Sequence, residues 1–271
     1  GQCAADPNFS LYLVGNSLSD QLVTKGRDAA FSAFGQQYGV TFELGYHLTW
    51  GAPLEWNYEH KNEGSKVFPG SSWEADLASE WDAISLQPYD RPLESDGGQE
   101  LGNSGCCVGD RVSAAAFMDY AAAASPNARF YVFAHWPLSN SGGTFLTDWS
   151  TPAAPNNVRN RAYFEGLLSA LREDRPAGSI WLVPVGHAIA NLVSDSGINA
   201  YAELYDDETH LNEKGAYVEA MVFIATLLRC NPTGMPAHQA FGAVNAEFAG
   251  QAQAAAWKAV TQNSALTGVS P

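Results

Sequence analysis

The sequence of 271 residues has no apolar run near the roughly 18 residues that a membrane-spanning helix needs. It is also poor in basic residues, because 14 Lys and Arg stand against 29 Asp and Glu, for a formal net charge of -15. Such a charge repels phosphate backbones and anionic lipid surfaces. We therefore expect neither a membrane span nor a nucleic-acid partner.

Three motifs that would indicate other chemistries are missing. No Gly-Lys-Ser/Thr follows the glycine-rich stretch 90–105, so this stretch does not predict a phosphate-binding loop. The six histidines contain no His-x-x-x-His pair, and we expect neither a metal nor a cofactor. The Gly-x-Ser-x-Gly elbow of α/β-hydrolases is absent too, since Ser19 stands where its last glycine would be.

Cysteine is scarce and lacks metal-site spacing, with only Cys3, Cys106, Cys107 and Cys230. Four cysteines allow three disulfide pairings, and one of these joins the adjacent pair Cys106 and Cys107 and leaves Cys3 with Cys230. We expect disulfides rather than free thiols, and hence an oxidising compartment. The chain starts Gly-Gln-Cys-Ala, so we expect a secreted or periplasmic protein whose signal peptide has been removed.

Strand-like and helix-like segments alternate along a chain of globular composition, which is 46% apolar and 12% aromatic. This alternation predicts βαβ units and an α/β fold, a three-layer α/β/α sandwich around a five-stranded parallel sheet. We expect residues 1–230 to form the main domain and 231–271 a helical extension packed on it. The predicted strands are 11–15, 40–44, 81–87, 128–135 and 179–185, and the predicted helices are 21–38, 71–80, 108–124, 158–175, 186–193, 213–229 and 246–262.

Ser17 follows the first predicted strand, in a turn that reads Gly-Asn-Ser-Leu at residues 15–18. The carboxyl ends of parallel strands form the edge of the sheet where ligands bind. A serine at this edge is either a nucleophile or the N-cap of the following helix, a position that Ser favours.

A second polar segment, Asp207-x-x-His210, lies late in the chain. Two intervening residues let the carboxylate fold back onto the imidazole, fix its tautomer and stabilise the imidazolium. A solvated helix start is the alternative interpretation. The segment follows the fifth predicted strand, and a doubly wound sheet returns it to the side of the first strand.

These two segments resemble the SGNH or GDSL hydrolase superfamily. Its first block, Gly-Asp-Ser-Leu, corresponds to residues 15–18, and its last block, Asp-x-x-His-Leu-Asn-x-x-Gly, corresponds to residues 207–215. The resemblance implies a flavodoxin-like hydrolase fold and a catalytic role for domain 1–230. It also implies that Ser17 is the nucleophile, His210 the general base and then acid, and Asp207 its orienting partner.

In that family a glycine amide and an asparagine side chain join the amide of the nucleophile, here Ser17, in the oxyanion hole. Gly51 matches the glycine because it follows the second strand in a loop, and Gly45 is the weaker alternative. Where Gly-x-Asn-Asp is expected, the chain has Ser-Leu-Gln-Pro at 85–88, so Gln87 offers the amide donor on one more methylene. A glutamine that simply ends a strand is the alternative.

Aromatic and histidine side chains fall in the loops expected at this edge. Rings of this kind stack on sugar or aryl groups, although most tryptophans are core residues. We expect a serine esterase that hydrolyses short-chain acyl esters, with acetylated polysaccharide as the first substrate class and aryl, polyester or lipid esters next. A non-catalytic carbohydrate-binding protein on a decayed hydrolase fold is the alternative of another class, motivated by Gln87. The expected substrate-binding residues are Trp50, His135, Trp136 and Trp149.

Overall fold

The first strand, β1 (Asn8–Gly15), forms the middle of the sheet, and its segment 11–14 is fully buried. A continuous apolar run of this kind is typical of a parallel strand that is covered on both faces. The computed structural model describes residues 3, 6–90, 109–139, 142–151, 159–176, 178–242 and 244–271.

The sheet has six strands in the order β3-β2-β1-β4-β5-β6, and only the pairing of β3 with β2 is antiparallel. The five predicted parallel strands are present, but the predicted strand number is wrong by one. The additional edge strand has only three residues, too few for a periodic pattern in the sequence. The other strands are β2 (Thr41–Leu48), β3 (Lys66–Phe68), β4 (Ala83–Leu86), β5 (Arg129–Ala134) and β6 (Ile180–Pro184).

Strand β2 is longer than predicted and includes Gly45, which pairs with Tyr12 of β1. A Cβ atom at Gly45 would lie 2.4 Å from the ring of Trp81, so glycine is needed for this close packing. Gly45 therefore lies inside the sheet rather than in a loop. This placement removes it as the alternative oxyanion glycine.

Helices cover both faces of the sheet and complete the three layers. Within the described part of the chain, no helix is both long and apolar enough to cross a membrane. The helices are α1 (Arg27–Gln36), α2 (Leu54–Glu59), α3 (Trp73–Asp76), α4 (Asp110–Ala122), α5 (Phe145–Ser150), α6 (Arg161–Glu173), α7 (Val185–Ser196), α8 (Ala200–Glu203), α9 (Glu213–Leu228), α10 (Ala246–Gln262) and α11 (Ser264–Thr267).

Short 3-10 turns over 19–22 and 24–26 replace the first part of the helix predicted over 21–38. Lys25 and Gly26 have φ angles of 57° and 77°, and this left-handed backbone delays the start of α1. Helices α2 and α5 are not predicted by the sequence pattern, because each is six residues long and lies in a stretch predicted as loop.

The predicted bounds of α10 are confirmed, and this helix packs on α7 and α9. Gln253 of α10 donates to the hydroxyl of Tyr217 of α9 at 2.8 Å, and Lys258 pairs with Asp195 of α7. These contacts place the last helices against the layer formed by α7 and α9. The division into domain 1–230 and extension 231–271 stays a prediction.

A disulfide joins Cys3, just before β1, to Cys230, just after α9. It confirms the expectation of a disulfide and selects one partner for each of these two cysteines. The predicted pairing of residues 106 and 107 lies outside the described residues.

Candidate active site

Ser17 lies in the turn that leaves the carboxyl end of β1. Its hydroxyl does not cap the following 3-10 turn, whose N-cap residue is Leu18 and has no side-chain capping bond. The Ser17 Oγ atom instead lies 2.9 Å from Nε2 of His210. The helix-cap interpretation of Ser17 is therefore wrong.

Asp207 accepts three hydrogen bonds from its own loop, each 2.7 Å long. Its Oδ2 atom binds Nδ1 of His210, and its Oδ1 atom binds the backbone N–H groups of Thr209 and His210. Partial burial alone would raise the pKa of Asp207, but these hydrogen bonds outweigh it and lower the pKa to about 2. At neutral pH the Asp207 carboxylate is thus charged and directed at the imidazole ring.

The loop that carries this pair is closed on itself before α9 begins. Tyr205 and Leu211 form an isolated antiparallel bridge, and the N–H of Asp206 donates to the carbonyl of His210 at 2.8 Å. Asn212 is the N-cap of α9 and accepts from the N–H of residue 215 at 3.1 Å. Because Asn212 performs the capping, the helix-start interpretation of the Asp207 segment is wrong.

Gln87 extends from the end of β4 beneath the turn of Ser17 and is 1% exposed. Its Oε1 atom accepts from the N–H of Asn16 at 3.0 Å, from the N–H of Ser19 at 3.1 Å and from the hydroxyl of Ser19 at 2.7 Å. Its Nε2 atom donates to Oδ1 of Asn16 at 2.7 Å. Two backbone donors fix the oxygen end of the amide. Gln87 thus does more than end a strand, and its predicted role as an oxyanion donor stays a prediction.

Gly15 gives Gln87 access to the turn. A Cβ atom at this position would lie 2.3 Å from Oγ of Ser19 and 2.5 Å from Oε1 of Gln87. The side chain of Asn16 completes the network, since its Oδ1 atom also accepts from the N–H of Leu18 at 3.0 Å. The residues on both sides of Ser17 are therefore held by hydrogen bonds to the side chains of Gln87 and Asn16.

Gly51 lies in an exposed loop after β2 and has a φ of 74°, which glycine adopts without strain. Two donors tie this loop and α2 to the end of β1: the N–H of Thr49 and Nδ2 of Asn57 each bind the carbonyl of Gly15 at 3.0 Å. The Gly51 loop therefore stands next to the turn of Ser17. A role for its N–H in the oxyanion hole stays a prediction.

Of the four expected substrate-binding residues, only Trp50 is exposed, at 61%, whereas His135, Trp136 and Trp149 are exposed by 3% or less. Nε1 of Trp136 donates to the carbonyl of Thr209 at 2.7 Å, so this indole supports the loop that carries Asp207 and His210. Burial lowers the pKa of His135 to about 3, which leaves it neutral. We correct the expectation for these three residues, because buried rings offer no face to a substrate.

The remaining histidines are dispersed through the fold. His60 stacks on the ring of Trp56, His187 binds Glu165 at 2.9 Å and His47 is buried in β2. Among the residues that the structure describes, no three His, Cys, Asp or Glu side chains come together as metal ligands. The expectation that the protein uses no metal or cofactor stays a prediction.

Asp110, at the start of α4, is a buried carboxyl group whose Oδ2 atom accepts from the hydroxyl of Tyr163 at 2.5 Å. Burial raises its pKa to about 8. The native state therefore keeps a proton that the unfolded chain releases near pH 4, and stability should fall as the pH rises from about 4 to 8. Thermal unfolding across this range measures the fall. We expect it to be smaller in Asp110→Asn, and an identical pH dependence would contradict the account.

No family model matches the chain, and no curated protein matches its sequence. Among solved structures, the chain is similar to a two-domain esterase active on acetylated mannans, with 11% identity over 85% of this chain and 52% of that one, at a TM-score of 0.49. A protein assigned as a GDSL-like lipase in Parabacteroides merdae shares 13% identity over 80% and 94% of the two chains, at 0.48. A carbohydrate esterase family 2 enzyme of Corynascus thermopiles shares 14% over 84% and 68%, at 0.43.

Proposed function

We propose that the protein is a serine esterase of the SGNH or GDSL type that hydrolyses carboxylic esters through an acyl-enzyme. The observation that carries the proposal is a pair of hydrogen bonds that share the ring of His210. One joins Ser17 Oγ to His210 Nε2 at 2.9 Å, and the other joins His210 Nδ1 to Asp207 Oδ2 at 2.7 Å. This is the arrangement in which a base activates a hydroxyl and a carboxylate orients the base.

The proposed reaction has two halves. Nε2 of His210 takes the proton of the Ser17 hydroxyl while Oγ attacks the ester carbonyl carbon. His210 then returns the proton to the departing alcohol, and the acyl group stays on Ser17. Water, deprotonated by His210, attacks the acyl carbon, and the proton goes back to Ser17 as the carboxylic acid leaves.

The oxyanion of each tetrahedral intermediate needs hydrogen-bond donors. We assign the backbone N–H groups of Ser17 and Gly51 to this task, supported by the bond that ties the Gly51 loop to the end of β1 through Thr49. Gln87 is the proposed third donor. One N–H of its amide already binds Asn16, so this role falls to the other N–H.

For the substrate we propose short-chain acyl esters, with acetylated polysaccharide as the first class to test. Trp50 supports a ring-bearing alcohol, since its indole is exposed and adjacent to Gly51. Aryl, polyester and lipid esters are the next classes. The Cys3–Cys230 disulfide supports a secreted or periplasmic location.

The proposal is tested with 4-nitrophenyl esters of increasing acyl length, comparing the wild type with Ser17→Ala. We expect wild-type turnover to be highest for acetate and to fall with chain length, with the Ser17→Ala rate near that of the buffer. Release of acetate from acetylated xylan or mannan then tests the first substrate class. Wild-type hydrolysis no faster than that of Ser17→Ala would contradict the proposal.

A carbohydrate-binding protein without turnover is the alternative from another class. It predicts glycan binding with no acyl-enzyme. The hydrogen-bonding distance between Ser17 and His210 favours turnover, because a decayed site has no need to keep these groups together.

A further inference from the structure

Asp207 depends on its loop for its position. Its side chain is 53% exposed, so packing does not hold the carboxylate against His210. Two of its three hydrogen bonds come from the backbone of Thr209 and His210. The direction of the carboxylate is therefore set by the conformation of residues 207–210, and whatever fixes Thr209 also fixes Asp207.

Thr209 is anchored through all three of its polar groups. Its N–H binds Asp207, its carbonyl accepts from Nε1 of Trp136 at 2.7 Å, and its hydroxyl oxygen accepts from a guanidinium N–H of Arg159 at 2.7 Å. Arg159 lies far from this loop in the sequence, just before α6. No motif in the sequence indicates this residue.

The Arg159 guanidinium is itself held from a second side. It is 3% exposed and pairs in bidentate fashion with the carboxylate of Asp90, through Nε at 2.7 Å and a terminal nitrogen at 2.8 Å. Its Cζ atom also lies 4.6 Å from the centre of the Tyr89 ring. Asp90 has a φ of 51° and follows β4 by four residues. A planar cation that is held at one edge and over one face presents the N–H that donates to Thr209 in a fixed direction.

We propose that Arg159 is a positioning residue that couples the loop after β4 to the loop of residues 207–210, called the triad loop below. The coupling runs in the order Asp90, Arg159, Thr209 and Asp207. The expected effect of Arg159 on the rate of ester hydrolysis rests on the proposed esterase function. The contacts themselves do not depend on that function. Because the guanidinium is buried, loss of one hydrogen-bond partner leaves a desolvated donor and shifts the loop that carries Asp207.

The matched pair Thr209→Val and Thr209→Ser tests the coupling. Valine keeps the β-branched shape but removes the oxygen that accepts from Arg159, while serine retains that oxygen. We expect kcat for 4-nitrophenyl acetate to fall by about 10-fold in Thr209→Val with KM changed less than about 2-fold, and to stay within about 2-fold in Thr209→Ser. Asp90→Asn removes the charge without touching the triad loop, and we expect the same direction of change.

A spectroscopic measurement separates positioning from general stability. The downfield proton resonance of His210 Nδ1–H, bonded to Asp207, should shift or broaden in Thr209→Val and in Asp90→Asn and stay in place in Thr209→Ser. If the wild type lacks ester turnover, the proposed function fails, while the resonance still tests the coupling. Wild-type kcat and an unmoved resonance in both Thr209→Val and Asp90→Asn would overturn the role of Arg159.

Discussion

Substitution of His210 by glutamine is expected to lower kcat for ester hydrolysis on the order of 10⁶-fold, because an amide cannot take the proton of Ser17 at the position of Nε2. Asp207→Asn is expected to cost on the order of 10⁴-fold, since its amide group favours the wrong tautomer of the imidazole. Both effects fall on kcat, measured by steady-state kinetics with a soluble ester under saturating conditions.

Asp206→Asn is the matched control for Asp207→Asn, because it makes the same chemical change on an exposed neighbouring side chain. We expect Asp206→Asn to keep nearly full activity. Circular dichroism and the unfolding midpoint should show that the variants of His210 and Asp207 remain folded. Full activity of a folded His210→Gln variant would contradict the assignment of the base.

Removal of the Gln87 amide is expected to have the next largest effect. Gln87→Leu keeps the volume but leaves the N–H groups of Asn16 and Ser19 and the hydroxyl of Ser19 without their acceptor. Buried donors without partners cost about 1 to 3 kcal/mol each, and displacement of a nucleophile by about 1 Å costs on the order of 10²-fold in rate. We expect a lower unfolding midpoint together with a fall of kcat by about 10²- to 10³-fold.

Gln87→Glu separates the two roles of the side chain. A neutral carboxyl group keeps the oxygen that accepts from Asn16 and Ser19, and its hydroxyl can donate to Asn16, but no N–H remains for an oxyanion. Recovery of both stability and kcat relative to Gln87→Leu assigns Gln87 to holding the turn. Recovery of stability alone assigns it to the oxyanion hole as well. A Gln87→Leu variant with wild-type stability and kcat would contradict both roles.

Ser17, Asp207 and His210 could be proposed from the sequence because each half of the candidate site is local and resembles one block of the SGNH or GDSL superfamily. The turn after β1 and the Asp207 to His210 segment are each set by spacings of two or three residues. The parallel order of the strands then brings the two segments to the same edge of the sheet. The sequence alone could not decide whether Ser17 is a helix N-cap. The structure decides it through the hydrogen bond between Ser17 and His210.

The supporting residues could not be predicted in this way, because their contacts join distant parts of the chain. The orientation of the Gln87 amide follows from donors on residues 16 and 19, and the partners of Arg159 lie at 90 and 209. Trp136 was expected to face a substrate because it follows a strand at the carboxyl edge. In the structure Trp136 is buried, and its indole N–H donates to the carbonyl of Thr209.

The central claim is that Ser17 is a nucleophile activated by His210, and covalent labelling with a fluorophosphonate tests it most directly. We expect a single adduct, mapped by peptide mass spectrometry to Ser17, that is absent from Ser17→Ala and forms far more slowly in His210→Gln. An adduct on any other residue, or equally fast labelling of the His210→Gln variant, would contradict the account.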